Sequence, residues 1–140
     1  MLARELVESE VAALAARNAK KADIQIICNA LQQMGDEVAQ GKIPRDGDDA
    51  FHNAIAQACG NDVLRDTIHG YWQARHGTLF KRLGDYFEDQ KSCDAAPLEH
   101  AAVLGAIRAH NAGAARSAMQ RHLKKVHTRY SASWRRAKPS

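Results

Sequence analysis

The sequence has no long apolar run and no pair of cysteines at metal-binding spacing. No apolar segment approaches the ~20 residues that a membrane-spanning helix needs, so no membrane contact is expected. The N-terminus mixes charged and apolar residues and lacks the apolar core of a signal peptide, which makes the cytoplasm the expected compartment. Cys28, Cys59 and Cys93 are widely spaced, so neither a disulfide framework nor a cysteine zinc site is indicated.

Acidic residues are absent from the last part of the chain. Residues 1–99 contain 11 Lys/Arg and all 16 Asp/Glu, whereas residues 100–140 contain 9 Lys/Arg and no acid. This basic segment could bind phosphates, but cations also suit the C-terminal end of a solvated last helix. We favour a solvated helix with a frayed end, because the segment has only two aromatic residues and no nucleic-acid-binding motif.

Apolar residues recur at helical spacing along nearly the whole chain, and glycine is scarce outside the expected turns. The pattern predicts about six helices, marked by apolar residues within segments 2–14, 24–38, 51–59, 64–72, 98–107 and 115–126. Breaks are expected at Gly41, Pro44 and Gly47, and Asn61 is expected to cap the fourth helix. The sequence therefore predicts an all-α antiparallel bundle in one domain.

The ends of the middle helices are set by weaker signals. Leu79, Leu83 and Phe87 continue the apolar side of the fourth helix, with a bend expected near Gly77. Pro97 suits the first turn of the fifth helix, because proline has no N–H to donate there.

His100 and His122 lie at equal distances from a turn signal at residues 111–113. If segments 98–110 and 113–127 form antiparallel helices joined by this turn, residues whose numbers sum to about 222 lie at the same height. Both histidines also lie on apolar stripes, so two imidazoles are expected side by side inside the bundle. Without partners their burial would cost several kcal/mol, and a shared metal ion is one suitable partner.

A second pair, Asp48 and His52, is four residues apart and therefore lies on one face of the third helix. Phe51 indicates that this face is near the core. One aspartate and three histidines suit zinc, nickel, manganese or iron(II). Two alternatives remain at this point: Asp48 can simply cap the third helix, and histidines in helices are usually structural.

Several motifs, taken in order, resemble the FCD domain, which is the C-terminal effector-binding domain of GntR-type transcription regulators of the fatty-acid-regulator subfamily. The motifs are R-x-x-V-E at residues 4–8, D-x-x-F-H at 48–52, A-x-x-x-G-N at 56–61, E-H-x-x-V-L-x-A-I at 99–107 and A-x-x-x-M-x-x-H-L at 115–123. The resemblance assigns residues 1–130 to this domain and leaves 131–140 as a basic tail. It implies a bundle of six or seven helices around a central cavity for metal and ligand.

The resemblance also implies the ligands of the metal. They are Asp48, His52, His100 and His122, with zinc as the expected ion and nickel, manganese or iron as alternatives. The implied function is ligand sensing and dimerisation, with a small carboxylate effector bound at the metal. Segment 64–83 is similar to regulators of sugar-acid (uronate) catabolism, so a sugar acid is one expected effector.

Three residues are candidates for contacting the effector. Arg4 on the first helix is the leading one, and an exposed ion pair with Glu8 is its alternative role. Arg75 is a further candidate that would otherwise be an exposed helix residue. Asn61 is the third, although its role as a helix cap competes with ligand binding.

The expected partners follow from the same resemblance. Regulators of this type pair into homodimers through the effector domain and carry a winged-helix DNA-binding domain before it. No such domain precedes Met1 in this sequence. DNA binding is therefore expected only for a parent protein, and the chain is either an excised domain or one that lacks the DNA-binding head.

Two other functions fit the histidine pattern. A metal-dependent hydrolase on a helical bundle could use the same ligands to activate water. However, Glu99 directly precedes His100 and is expected about 100° away around the helix, so no inward carboxylate remains as a general base. The histidines could also merely pack in a structural module. The chain is therefore predicted not to be an enzyme.

Overall fold

A computed structural model of the chain describes residues 2–77 and 90–137, which form six α-helices. In chain order the helices are α1 (Leu2–Asn18), α2 (Lys21–Ala39), α3 (Arg45–Ala58), α4 (Asp62–Ala74), α5 (Gln90–Arg108) and α6 (Ala112–Ala137). No strand occurs within these two ranges, and the all-α prediction is confirmed. In the same part of the chain, no helix combines the length and apolarity needed to cross a membrane.

Left-handed residues and side-chain caps set the ends of several helices. Gly41 and Gly60 have φ values of +73° and +76° just after α2 and α3, a conformation that glycine adopts without strain. Asn61 then begins α4, because its side-chain oxygen accepts a hydrogen bond from the Leu64 N–H at 3.0 Å. The predicted cap at Asn61 is confirmed.

The connection between α5 and α6 is equally short. His110 takes φ 54°, and the Asn111 side-chain oxygen accepts a hydrogen bond from the Ala114 N–H at 3.0 Å. Asn111 is thus the N-cap residue of α6, and the two helices fold back on each other at the predicted turn.

Helix α1 lies at the centre of the packing and contacts α3, α4, α5 and α6, while α2 packs against α3 and α5. Small side chains make this possible, since Ala12, Ala15 and Ala16 are fully buried on α1. The large apolar side chains of the core come from the other helices: Ile27, Met34, Phe51, Ile55, Ile107, Met119 and Leu123.

Three predicted helix boundaries were wrong. Helix α3 begins at Arg45, so the expected break at Gly47 lies inside the helix. Asp48, whose alternative role was an N-cap, lies within the first turn, and Pro44 holds the N-cap position. Helix α5 begins at Gln90, which places Pro97 inside it. The physical reason is packing: residues 93, 96 and 100 share one inward face, and this face extends the helix backward past the proline.

The third boundary concerns α6, which was expected to end near residue 127 and continues to Ala137. Residues 131–137 of the expected frayed tail are therefore helical. Arg129 anchors this extension, because its guanidinium donates to Glu99 on α5. Helix α4, the fourth helix, ends at Ala74. The continuation predicted through residues 79–87 lies outside the described residues.

Helices α2 and α3 approach each other most closely at Gly47. A Cβ added at Gly47 would lie 2.6 Å from both the Cα and the N of Met34. The Gly47 N–H also donates to Glu37 Oε1 at 2.6 Å. We expect Gly47→Ala to lower the free energy of unfolding by about 1–3 kcal/mol, because the backbone of α2 must move to admit the methyl group.

The matched control is Gly35→Ala on α2, where an added Cβ meets no atom within 4 Å. This change is expected to raise stability by up to about 1 kcal/mol through helix propensity. Urea denaturation of the two variants measures both effects. Equal stabilities would contradict the close packing of α3 on α2.

Candidate metal centre

Three imidazoles and one carboxylate meet where α3, α5 and α6 face one another. His52, His100 and His122 are buried, and the Asp48 side chain is 29% exposed. Asp48 Oδ1 lies 2.8 Å from His100 Nε2 and 3.3 Å from His52 Nε2, and these two nitrogens are 3.3 Å apart. The rings of His100 and His122 adjoin, with centroids 4.2 Å apart. One ligand-type atom from each of the four residues lies within 4.8 Å of all the others. The structure thus brings together all four residues that the sequence singled out.

The outer nitrogen of each imidazole meets an oxygen. The three contacts are His100 Nδ1 to Ala96 O at 2.7 Å, His122 Nδ1 to Glu99 Oε1 at 2.9 Å, and His52 Nδ1 to Glu8 Oε1 at 2.8 Å. The last is an ion-pair contact that lacks the alignment of a hydrogen bond. Since each oxygen favours a proton on Nδ1, each Nε2 is left to face the cluster.

Glu8 is a buried carboxylate on α1 that joins three other groups. It pairs with Arg4, accepts a hydrogen bond from Trp72 Nε1 at 3.3 Å, and contacts His52. Burial alone would raise the pKa of Glu8, but the charges of His52 and Arg4 outweigh it and lower the pKa to about 2. The sequence offered an exposed ion pair with Glu8 as the alternative role of Arg4, and the pair is present. It is buried because α1 lies at the centre of the bundle.

Glu99 was expected about 100° from His100 around the helix and therefore not inward, but its side chain is only 9% exposed and contacts His122 inside the bundle. Its carboxylate accepts hydrogen bonds from His122 and, at 2.8 and 2.9 Å, from Arg129. Burial alone would raise the pKa of Glu99, but these hydrogen bonds lower it to about 2. The predicted rotation of Glu99 away from His100 around α5 was reasonable. However, His122 on α6 lies on the side to which Glu99 points. Glu99 and Glu8 both lie behind the imidazoles, so neither is placed as a general base on the Nε2 side.

The protonation states of the cluster follow from burial and neighbouring charges. Burial, reinforced by the nearby His100, lowers the pKa of His122 to about 3, so this imidazole is neutral near pH 7. Burial would raise the pKa of Asp48, but hydrogen bonds from His100 and His52 hold it well below its usual range. Burial would lower the pKa of His52, but the charges of Glu8 and Asp48 raise it.

The cluster borders a cavity of about 70 Å³, which is room for several water molecules or one small anion. Asp48, His100 and His122 line this cavity together with Arg4 and Arg75. Asn61 is not among its lining residues, and its side-chain oxygen already caps α4. Two of the three candidate effector contacts, Arg4 and Arg75, therefore line the cavity beside the cluster.

Residues 1–125 match the family model described as the FCD domain. The chain belongs to the FCD domain family. One curated relative is the HTH-type transcriptional regulator LutR of Bacillus subtilis, 32% identical over 124 residues that cover 88% of this chain and 57% of the relative. Another is the Uxu operon transcriptional regulator of Escherichia coli, 33% identical over 130 residues that cover 91% of this chain and 51% of the relative. The FCD domain thus spans about half the length of the curated relatives that it matches.

The fold of this FCD domain is also similar to that of a solved Streptococcus agalactiae GntR, with a TM-score of 0.76 at 24% sequence identity. The similarity covers 93% of this chain and 56% of that one, and it shows the shared fold. Because the curated relatives are named as transcription regulators, the predicted kinship to regulators and not to enzymes is confirmed.

The buried network around Glu8 leads to a stability prediction. Glu8→Gln removes the negative charge that neutralises the buried Arg4, and losing one partner of a buried ion pair costs about 3–5 kcal/mol. The control is Glu10→Gln on the same helix, which weakens an exposed pair with Arg116 and should cost less than about 1 kcal/mol. Chemical denaturation in the presence of a chelator compares the two variants. Losses of similar size would contradict the buried network.

Proposed function

We propose that this FCD domain senses a small carboxylate effector at a divalent metal ion held by Asp48, His52, His100 and His122. The observation that carries the proposal is the convergence of three imidazoles and one carboxylate, with an oxygen within 2.9 Å of the outer nitrogen of each imidazole. The bound ion would supply positive charge and open coordination positions next to the cavity.

The hydrogen bonding of His100 supports a cation within the cluster. A carbonyl oxygen only accepts, so the contact with Ala96 places a proton on His100 Nδ1. In the neutral imidazole the Nε2 lone pair then faces the Asp48 carboxylate at 2.8 Å, which is repulsive. A proton or a metal ion at this position removes the repulsion. With two further imidazoles aimed at the same point, a metal ion satisfies all four groups at once.

The distances within the cluster fit one ion. Ligands about 2.0–2.2 Å from a metal lie about 3 Å from each other at right angles and about 4.3 Å apart across it. The separations of 2.8 and 3.3 Å fall near the first value, and the upper limit of 4.8 Å requires only a small closure. Three imidazoles and one carboxylate suit zinc, which we propose as the ion, and also nickel, manganese or iron(II).

The charge of such a site favours an anionic effector. A divalent ion with one carboxylate and three neutral imidazoles keeps one net positive charge, and four protein ligands leave room for more in an octahedral site. Arg4 and Arg75 add cations to the adjoining wall. We therefore propose a small carboxylate as effector. Similarity to the Uxu and Exu regulators supports a sugar acid in particular.

The assembly is proposed from the same relatives. We propose that the domain pairs into a homodimer and that a winged-helix domain of a parent regulator binds DNA in the cytoplasm. The chain covers only about half of the matched relatives, and one of them is named an HTH-type regulator. Sedimentation of the purified domain at micromolar concentrations should show a dimer, and a monomer throughout that range would contradict pairing through this domain.

The metal site is tested by elemental analysis. The purified domain, loaded with zinc and dialysed, should retain about one zinc ion per chain. His100→Ala and His122→Ala should each lose it, because each removes a ligand. His127→Ala, an exposed position on the same helix as His122, should retain it and serves as the control. Retention of zinc by both ligand variants would show that the ion binds elsewhere.

Effector binding is tested by thermal unfolding with a panel of sugar acids and hydroxy acids. A ligand at a hundredfold excess over its Kd should stabilise the zinc-loaded domain by about 2.7 kcal/mol. The effect should vanish with a chelator and shrink in Arg4→Ala, but not in Arg116→Ala, whose guanidinium pairs with Glu10 away from the cavity. Equal stabilisation with and without metal would mean that the ion is only structural.

A further inference from the structure

Four arginines line the cavity beside the metal centre. They differ in whether another protein group pairs with the guanidinium. Arg4 pairs with Glu8, and Arg129 donates two hydrogen bonds to Glu99. Arg45 also has protein contacts. Arg75 forms no ion pair within the described residues, and its Nη1 is buried without a hydrogen-bond acceptor.

The position of Arg75 is fixed by stacking. Its guanidinium carbon lies 4.6 Å from the centre of the Trp72 ring, and Trp72 stacks on His52 with ring centroids 4.7 Å apart. Arg75 is therefore held one aromatic ring away from a proposed metal ligand. A guanidinium held in this way can donate two parallel hydrogen bonds to a carboxylate with little loss of side-chain freedom.

A buried N–H without an acceptor is costly, so the unpaired Nη1 points to a ligand oxygen. The charges of the cavity indicate what kind of oxygen. The pairs formed by Arg4 and Arg129 are neutral, whereas Arg75 keeps its positive charge. With a divalent ion bound, the metal centre that includes Asp48 keeps a second positive charge. Arg75 and the ion are then two separate positive positions beside the cavity, and a monocarboxylate neutralises only one of them.

We propose that the effector is a short acid with two carboxylates, a class that includes sugar diacids, with one carboxylate at the metal and the other bound by Arg75. This inference rests on the metal-dependent effector site proposed above, and it adds the class of ligand and the residue that selects it. A hydroxyl group in place of the second carboxylate would satisfy Nη1 but leave the charge of Arg75 unbalanced, so a hydroxy monoacid should bind more weakly.

Calorimetric titration of the zinc-loaded domain tests the diacid. Succinate and monomethyl succinate have the same chain length and differ by one carboxylate charge. Succinate should bind at least about tenfold more tightly, because only it forms the charge-assisted hydrogen bonds to Arg75. Malonate and glutarate, each compared with its own monomethyl ester, cover shorter and longer spacings. Zinc content measured after each titration verifies that the acid has not removed the ion.

Variants on α4 test the assignment to Arg75. Arg75→Gln should reduce the affinity for the diacid to that for the monoester and leave the monoester affinity unchanged. Arg75→Lys keeps the charge but loses the planar fork, so an intermediate preference is expected. Arg65→Gln is the control on the same helix, since Arg65 pairs on the surface with Asp62 and Asp66. Thermal unfolding and zinc content of each variant without acid verify folding and metal retention.

Each outcome has a distinct meaning. If diacids and monoesters of every length bind equally and only with metal, the diacid inference is overturned and the proposed function stands. If the diacid preference persists in Arg75→Gln, the second carboxylate is bound elsewhere and the assignment to Arg75 is overturned. If no sugar acid, hydroxy acid or diacid binds in a metal-dependent manner, the proposed function fails and this inference fails with it.

Discussion

Three imidazoles and one carboxylate converge in the interior of the bundle. The positions of the polar groups around them follow from the requirement that each buried imidazole nitrogen has a partner. Buried polar groups without partners are costly, and here the outer side of every ring meets an oxygen, from Ala96, Glu8 or Glu99. These oxygens lie on α1 and α5, while the rings lie on α3, α5 and α6. The cluster therefore connects four of the six helices, and Trp72 adds α4 through its contacts with Glu8 and His52.

Much of this arrangement could be predicted from the sequence because it depends on local periodicity. The helix count follows from apolar spacing, and the pairing of Asp48 with His52 follows from a separation of four residues. The adjacency of His100 and His122 needs only two helices that fold back at one turn. That turn is where expected, with the residue at 110 in the left-handed conformation and Asn111 capping α6.

The rest depends on tertiary packing, which local patterns do not contain. Arg4 and Glu8 have the spacing of an ordinary surface pair, and only the central position of α1 makes the pair buried. The direction of Glu99 was judged relative to its own helix, although its partners are on α6. Pro97 was read as a helix start, although core packing of the residues before it extends α5 past the proline. In each case a neighbouring helix decided the outcome.

The central claim is that the four side chains hold one divalent ion. X-ray absorption spectroscopy of the zinc-loaded domain at the zinc edge tests it most directly, because the spectrum reports the atoms bound to the ion. The account predicts three imidazole nitrogens and carboxylate oxygen at about 2.0–2.2 Å, with no sulfur. A sulfur ligand at about 2.3 Å, which Cys93 on the cavity wall would supply, or fewer than three imidazoles would contradict the account.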